Sequence, residues 1–193
     1  MKFKRRNLTL LTLGLAITLT TGCAAGLEKS FQESVQKNID LPGQDTEISK
    51  DQKKLKKAPD IEFMDYNGNV VKLSDFKGKY LMVNSWATWC PFCKKELVDF
   101  ANSQKKFGDK VVVIVINRGE SDDKAQAYAN NLGVRDDLIF WADKDDEFYK
   151  SINGFSMPET LFVDKEGFIR FHKRGVMDQN ETDQRIEQLI QLN

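Results

Sequence analysis

Two mostly apolar runs limit the folds open to this chain more than any other part of it: Tyr80–Trp86 (YLMVNSW) and residues 110–117 (KVVVIVIN). Each run has the length and the apolar content of a strand that is buried on both faces of a sheet. The segment between them, residues 96–107, places Leu97 and Phe100 on one face of a predicted helix. A strand, a helix and a second strand in this order predict the centre of an α/β domain.

The rest of the chain from residue 58 onward also alternates between predicted strands and helices. Asn67 and Gly68 are typical of a hairpin turn, and Ser74 is predicted to cap a one-turn helix over residues 73–76. Further strands are predicted over residues 60–65, 69–73, 138–142, 159–164 and 168–173, and further helices over 124–132, 146–152 and 182–192. We therefore expect one α/β domain over residues 58–193, with a central mixed sheet and helices on both faces.

Residues 1–22 have the composition of a targeting segment. They carry four basic and no acidic side chains, and the apolar stretch within them has the length of a signal-peptide core but is short for a spanning helix. The segment ends at Thr20-Thr21-Gly22-Cys23, which resembles the lipobox of bacterial lipoproteins. The resemblance implies that Cys23 is diacylated and becomes the new N-terminus. An ordinary signal peptide with an incidental cysteine and an uncleaved anchor are the alternatives, and each places the rest of the chain outside the cytoplasm.

Residues 23–57 form a polar, charged segment without a sustained apolar period. We interpret them as the lipid-bearing Cys23 followed by a flexible tether. A flexible chain of this length has a root-mean-square reach of about 30 Å. We expect the domain over residues 58–193 to be anchored in this way to the bacterial cell membrane, on its extracytoplasmic side.

Charge and ligand counts argue against two classes of protein. Lys and Arg together number 29, as do Asp and Glu, so no field of one sign draws the chain to nucleic acid. Three cysteines and one histidine, scattered along the chain, do not supply the four clustered ligands of a structural zinc site. We expect no nucleic-acid partner, no metal and no cofactor.

The Cys90-Pro91-Phe92-Cys93 motif lies where the first buried strand passes into a helix. Two intervening residues let the sulfurs approach disulfide distance, and the free N–H groups at the start of a helix stabilise a thiolate on the first sulfur. Cys90 is therefore predicted to be an exposed nucleophile, with Cys93 as the resolving thiol behind it. An inert structural disulfide and half of a metal site are the alternatives.

Residues 84–90 (NSWATWC) resemble the TlpA/ResA branch of the thioredoxin superfamily, a group of membrane-tethered extracytoplasmic thiol-disulfide oxidoreductases. The predicted hairpin, residues 117–121 (NRGES), the inserted helix and strand that follow, and residues 157–164 (MPETLFVD) extend the resemblance over nearly all of residues 58–193. The resemblance implies a thioredoxin-like fold with an N-terminal β-hairpin and a central α/β insertion.

The same resemblance implies roles for residues outside the cysteine motif. Pro158 is expected to be a cis-proline that faces the cysteines, and the backbone of Met157 is expected to pair with the substrate chain. Trp89 is expected to form part of the surface around Cys90.

Proton transfer near Cys93 requires a group other than the one that cytoplasmic thioredoxins use. Asn84 stands where those proteins keep a buried Asp, and an amide cannot accept the proton. Glu159 and Glu96 are then the candidates for proton management, although a solvated helix position is the expected setting of Glu96. His172 is expected at the surface of a strand.

These features predict a thiol-disulfide oxidoreductase, and within that class a reductase of protein disulfides. The resemblance implies a monomer kept reduced by a membrane electron donor of the CcdA/DsbD type, with apocytochrome c or a surface methionine sulfoxide reductase as the oxidised client. An oxidase that forms disulfides in secreted proteins is the competing direction of the same chemistry. A copper-binding assembly protein on a similar scaffold and a thiol peroxidase are more remote alternatives.

Overall fold

The computed structural model describes residues 55–192. The predicted signal peptide, the predicted lipid site at Cys23 and nearly all of the predicted tether lie outside the described residues. No helix within residues 55–192 combines the length and the apolar character that crossing a bilayer requires.

One seven-stranded sheet and four α-helices make up the described part of the chain. The strands are β1 (Phe63–Asp65), β2 (Val70–Val71), β3 (Tyr80–Trp86), β4 (Val111–Arg118), β5 (Ile139–Asp143), β6 (Glu159–Val163) and β7 (Ile169–Arg174). The helices are α1 (Cys93–Phe107), α2 (Asp122–Leu132), α3 (Glu147–Ser151) and α4 (Gln179–Gln191), with 3-10 turns at Leu73–Phe76 and Gly108–Lys110. The strand order is β2-β1-β5-β4-β3-β6-β7, with both parallel and antiparallel pairs. The predicted α/β fold with a mixed sheet is therefore confirmed.

Strand β3 lies between β4 and β6 in the sheet and determines which segments meet near the cysteines. It runs parallel to β4, with Trp86 opposite Asn117, and antiparallel to β6, with Ser85 opposite Glu159. The residues that follow β3, those that follow β4 and those that precede β6 consequently lie at one edge of the sheet. Functional sites of α/β proteins form at such an edge, beyond the carboxyl ends of the strands.

Helices cover both faces of the sheet, as predicted. On one face, Met82 and Trp86 belong to an apolar cluster completed by residues of α1, α2 and α4. On the other face, Leu81 and Val83 belong to a second cluster with the N-terminal hairpin and with Phe148 of α3. The alternation of neighbouring β3 residues between the clusters follows from the two-residue period of a strand.

The local prediction for the first helical turn is wrong in one respect. Asp75, rather than Ser74, caps the 3-10 turn, since its Oδ2 accepts a hydrogen bond from the Lys72 N–H over 2.9 Å. The Ser74 N–H instead donates to Asp60 over 2.9 Å. The Asp60 carboxylate belongs to the segment ahead of the hairpin, and the sequence alone does not predict its contact with Ser74.

Candidate active site

The two cysteines of the motif form a disulfide directly after β3. Their Cα atoms lie 5.4 Å apart. The N–H of Cys93, the first residue of α1, donates a hydrogen bond to Cys90 Sγ over 3.2 Å. This N–H is one of the groups at a helix N-terminus that lack a partner within the helix, and it stabilises negative charge on Cys90 Sγ when the disulfide opens.

The disulfide is buried, whereas residues beside it are exposed. Cys90 is only 1% exposed, so the prediction of an exposed Cys90 is wrong for the oxidised protein. Its sulfur is bonded to Cys93, which lies inside the same apolar cluster as Trp86, and this bond draws Cys90 inward. Trp89 and Phe92, on either side of Cys90, are 59% and 57% exposed.

Glu120, in the segment after β4, fixes the segment that leads into the motif. Its carboxylate accepts hydrogen bonds from the backbone N–H of Thr88 (2.7 Å), the Thr88 hydroxyl (2.6 Å) and the Asn117 amide (2.9 Å). Burial favours a higher pKa for Glu120, but the Lys124 ammonium, Thr88 and Asn117 outweigh it and lower the pKa to about 2. Glu120 lies within residues 117–121, but the sequence predicts no role for it, because nothing local indicates its contact with Thr88.

We expect Glu120→Ala to lower the free energy of unfolding by about 2 kcal/mol, because two donors on Thr88 and one on Asn117 lose their acceptor. The matched control is Lys124→Ala, which removes only an exposed ion pair to the same carboxylate and should cost less than about 1 kcal/mol. Urea denaturation of both variants and the parent at pH 7 measures the difference. Equal losses of unfolding free energy in the two variants would contradict the inference that Glu120 holds Thr88 in place.

Asn84 connects β3 to the Glu96 carboxylate and to the backbone of Glu159. It is fully buried. Its amide nitrogen donates to Glu96 Oε2 over 3.3 Å, to the backbone oxygen of Glu159 over 3.3 Å and to Thr160 Oγ1 over 2.9 Å. Asn84 therefore orients groups around the cysteines and does not itself exchange a proton at neutral pH.

Glu96 lies one turn into α1 and is 1% exposed, so the prediction of a solvated helix position is wrong. The segment after β7 folds over the start of α1, and the Met177 N–H donates to Glu96 Oε1 over 2.9 Å. Burial raises the pKa of Glu96 from 4.5 to about 8, although the hydrogen bonds from Met177 and Asn84 act in the opposite direction. Glu96 thus exchanges its proton in the pH range in which a cysteine thiol does.

Glu159, the first residue of β6, is also fully buried. Its Oε1 accepts hydrogen bonds from the N–H groups of Phe155 (2.8 Å) and Ser156 (2.9 Å), and its Oε2 lies 2.7 Å from His172 Nε2. Burial favours a higher pKa for Glu159, but the hydrogen bonds from His172, Ser156 and Phe155 outweigh it and lower the pKa below its usual value. Unlike Glu96, Glu159 is held as a carboxylate.

His172 is 9% exposed, so the predicted surface position is wrong. On β7 it pairs with Leu161, two residues beyond Glu159 on β6, and it therefore shares a face of the sheet with Glu159. The register between β6 and β7 creates this contact, and a single strand's sequence does not reveal it.

The segment ahead of β6 lies level with the end of β3. The peptide bond between Met157 and Pro158 is cis. Pro158 directly precedes Glu159, which lies opposite Ser85, and Met157 packs against the apolar cluster that contains both cysteines. Phe155 in this segment is 54% exposed. The Gly175 N–H donates to the backbone oxygen of Pro158, and the next residue, Val176, is 45% exposed. We call Trp89, Phe92, Phe155 and Val176 the active-site rim.

Comparison with known proteins agrees with this geometry. The Redoxin family matches residues 53–190, most of the chain. The chain belongs to the Redoxin family. It is 30% identical to the thioredoxin-like protein YneN of Bacillus subtilis over 137 residues, which cover 67% of this chain and 76% of YneN. It is 32% identical to the thiol-disulfide oxidoreductase ResA of Bacillus subtilis over 124 residues, which cover 64% of this chain and 68% of ResA.

Solved structures of similar proteins share the fold. A thiol:disulfide interchange protein of the DsbE type from Chlorobium tepidum superposes with a TM-score of 0.63 at 22% identity, covering 72% of this chain and 97% of that protein. The exposed lipoprotein thioredoxin of Streptococcus pneumoniae superposes with a TM-score of 0.61 at 27% identity, covering 68% of this chain and all of that protein. With the disulfide between Cys90 and Cys93, these likenesses identify a ResA-like thiol-disulfide oxidoreductase of the thioredoxin superfamily.

Proposed function

We propose that this protein is a membrane-tethered extracytoplasmic reductase of protein disulfides, with Cys90 as nucleophile and Cys93 as resolving thiol. The observation that carries the proposal is the hydrogen bond from the Cys93 N–H to Cys90 Sγ at the start of α1. It gives the two sulfurs different surroundings, since only Cys90 Sγ receives this helix N-terminal donor.

The reaction transfers two electrons through one covalent intermediate. The Cys90 thiolate attacks one sulfur of the client disulfide, and the other client sulfur leaves as a thiolate that takes up a proton. The Cys93 thiolate then attacks Cys90 Sγ, which breaks the mixed disulfide and releases the second client thiol. The client disulfide is reduced to two thiols, and Cys90 and Cys93 are oxidised to the disulfide seen here.

Glu96 is the group that accepts the proton from Cys93 in this scheme. It lies one turn after Cys93 on α1, and its pKa of about 8 is close to that of an ordinary thiol. Proton transfer between groups of similar pKa is efficient in either direction, so Glu96 also returns the proton when the disulfide is reduced again. Glu159, whose pKa is lowered, is the poorer proton acceptor.

A reductase is favoured over an oxidase by the electrostatics around the motif. A strong oxidant of this class owes its potential to a reduced form with a stabilised thiolate. Here Lys95 is paired with Asp99 and Lys94 is exposed, so neither lysine places an unpaired, buried positive charge beside Cys90. With one backbone N–H as the stabilising group, the Cys90 thiolate is not strongly favoured, and the disulfide form remains the more stable one.

Clients bind to the active-site rim and to the backbone before β6. The rim offers exposed apolar surface around a buried disulfide, and the backbone of Met157 and Pro158 at the start of β6 offers strand-like pairing to an extended chain. Main-chain pairing accepts many sequences, so the client class is proteins that present a disulfide in an extended, partly apolar segment.

The N-terminal sequence and the relatives support the proposed cellular setting. We place residues 58–193 outside the cytoplasm as a monomer, tethered through residues 23–57 and a lipid on Cys23. The name of the Streptococcus pneumoniae structure, an exposed lipoprotein thioredoxin, supports this placement. Reducing equivalents come from a membrane donor of the CcdA/DsbD type, and apocytochrome c or a surface methionine sulfoxide reductase is the client.

The reduction potential of the Cys90–Cys93 pair tests the proposed direction. We expect a value more negative than about −220 mV when the purified protein is equilibrated with glutathione or dithiothreitol buffers, because the Cys93 N–H alone stabilises the Cys90 thiolate only modestly. Alkylation of free thiols followed by mass spectrometry counts the oxidised fraction. A value near −120 mV would instead assign the protein to the disulfide-forming oxidases.

A further inference from the structure

Glu159 is a buried charge that the proposed thiol chemistry does not use. Removing a carboxylate from water is costly, and its partners must compensate for the loss. Here the compensation comes from two backbone N–H groups in residues 155–158 and from His172. Arg174 also faces it, with Nε 3.8 Å from Glu159 Oε2. All of these contacts fix the segment that precedes β6 against β7.

We propose that Glu159, held by His172, is a positioning residue that fixes the backbone of residues 155–158 in the shape to which client chains pair. Glu159 then sets the affinity for protein clients and leaves the reactivity of Cys90 and Cys93 unchanged. This inference rests on the proposed function, in which the Met157 and Pro158 backbone receives the client.

Further contacts from the other side of the segment agree with this role. The Tyr149 hydroxyl donates to the backbone oxygen of Ser156 over 2.7 Å, so Ser156 is fixed through both its N–H and its carbonyl. The Tyr149 ring lies 3.4 Å beneath the Arg118 guanidinium, and Arg118 forms a two-point ion pair with Asp146. The segment is thus attached to both β4 and β7, which is more restraint than an ordinary surface loop has.

The effect of losing Glu159 should be confined to protein clients. A small disulfide reagent needs only access to Cys90, whereas an extended chain must also pair with a preformed backbone. If residues 155–158 sample several shapes, only the fraction in the competent shape binds, and the apparent affinity falls by that fraction.

The test compares a protein and a small-molecule disulfide as substrates. We expect the pre-reduced Glu159→Ala variant to be oxidised by insulin at half its maximal rate only at an insulin concentration about ten-fold higher than the parent needs. The reason is that the N–H groups of Phe155 and Ser156 lose their acceptor. The variant's rate with hydroxyethyl disulfide should stay within about two-fold of the parent, and its reduction potential should be unchanged. Glu159→Gln retains an oxygen for Phe155 and Ser156 and should recover most of the insulin affinity.

Asp164 provides a matched control at the opposite end of β6. It is 2% exposed, accepts hydrogen bonds from two turn N–H groups, those of Glu166 and Phe168, and pairs with Arg170. Asp164→Ala therefore removes the same kind of cluster far from the cysteines. It should destabilise the protein to a similar extent while leaving the insulin concentration for half-maximal oxidation unchanged.

Three results would overturn the proposal. They are an equal loss of reactivity toward insulin and hydroxyethyl disulfide in Glu159→Ala, a shifted reduction potential in that variant, and an Asp164→Ala variant that loses insulin affinity to the same extent. If Glu159→Ala does not fold, His172→Ala provides the test, because it removes the partner of one Glu159 carboxylate oxygen. It should weaken insulin affinity in the same selective way, and an unchanged insulin affinity in His172→Ala would also overturn the proposal. A parent potential at the oxidant end of the scale would separately refute the reductase assignment without touching these ratios.

Discussion

Cys93→Ala will accumulate client proteins as stable mixed disulfides on Cys90, whereas Cys90→Ala will accumulate none. In the first variant the nucleophile is intact and the thiol that resolves the intermediate is gone. In the second, the remaining thiol is Cys93, which is 0% exposed and is itself the source of the N–H directed at the first sulfur. Non-reducing electrophoresis of the two variants after expression in a bacterial host measures the trapped adducts.

The double variant Cys90→Ala/Cys93→Ala is the control for adducts that do not involve the motif. Both single variants should lose catalytic turnover of insulin by more than about 10³-fold, because each removes an obligatory covalent step. Adducts in equal amounts on the two single variants would contradict the assignment of nucleophile and resolving thiol. Adducts on Cys93 alone would reverse it.

The core of the fold and the reacting sulfurs could be predicted because their signals are local. Strand β3 has the predicted bounds, because its mostly apolar run has the length and composition of a strand that is buried on both faces. The Cys90 and Cys93 pair lies at a strand-to-helix junction in both the prediction and the structure. Helix α2 ends as predicted at Leu132, with Gly133 in the left-handed conformation at φ 70°.

The surroundings of the sulfurs could not be predicted because they come from distant segments. Glu96 is polar and lies on a helix, which is typical of a solvated position, yet the Met177 N–H from beyond β7 covers it. The sequence of β7 is compatible with an exposed position for His172, but the pairing of β7 with β6 places the His172 side chain against Glu159. These buried polar contacts depart from the local pattern, and such departures concentrate at functional sites.

Glu96→Gln will make the oxidised protein more stable at neutral pH and will remove part of its pH dependence. The pKa of Glu96 is about 8 in the folded protein and 4.5 as an unperturbed group, so the folded state binds the proton more tightly. As the pH rises from 4.5 to 8, unfolded chains release this proton and folded ones retain it. The free energy of unfolding therefore falls by up to about 1.4 kcal/mol per pH unit across this window.

Glutamine is neutral throughout and avoids this loss, which reaches roughly 3 kcal/mol at pH 7. Its carbonyl oxygen still accepts from the Met177 N–H, the shorter of the two hydrogen bonds that this side chain receives. Urea denaturation of the oxidised parent and variant at pH 5, 6, 7 and 8 gives the two profiles. Glu187→Gln, the same change at an exposed site on α4, should shift stability by less than about 0.5 kcal/mol.

The same substitution should slow the release of clients, because glutamine cannot take the proton from Cys93. We expect Glu96→Gln to resolve mixed disulfides about 10²-fold more slowly than the parent at pH 7, and the deficit to shrink toward pH 9, because hydroxide in the solvent then replaces the missing base. Rapid-quench measurements of the intermediate at several pH values follow this ratio. A deficit that is the same at every pH would mean that Glu96 acts only through packing. A deficit that closes with rising pH, together with the gain in stability of Glu96→Gln, identifies a carboxyl group that transfers a proton and whose burial destabilises the fold.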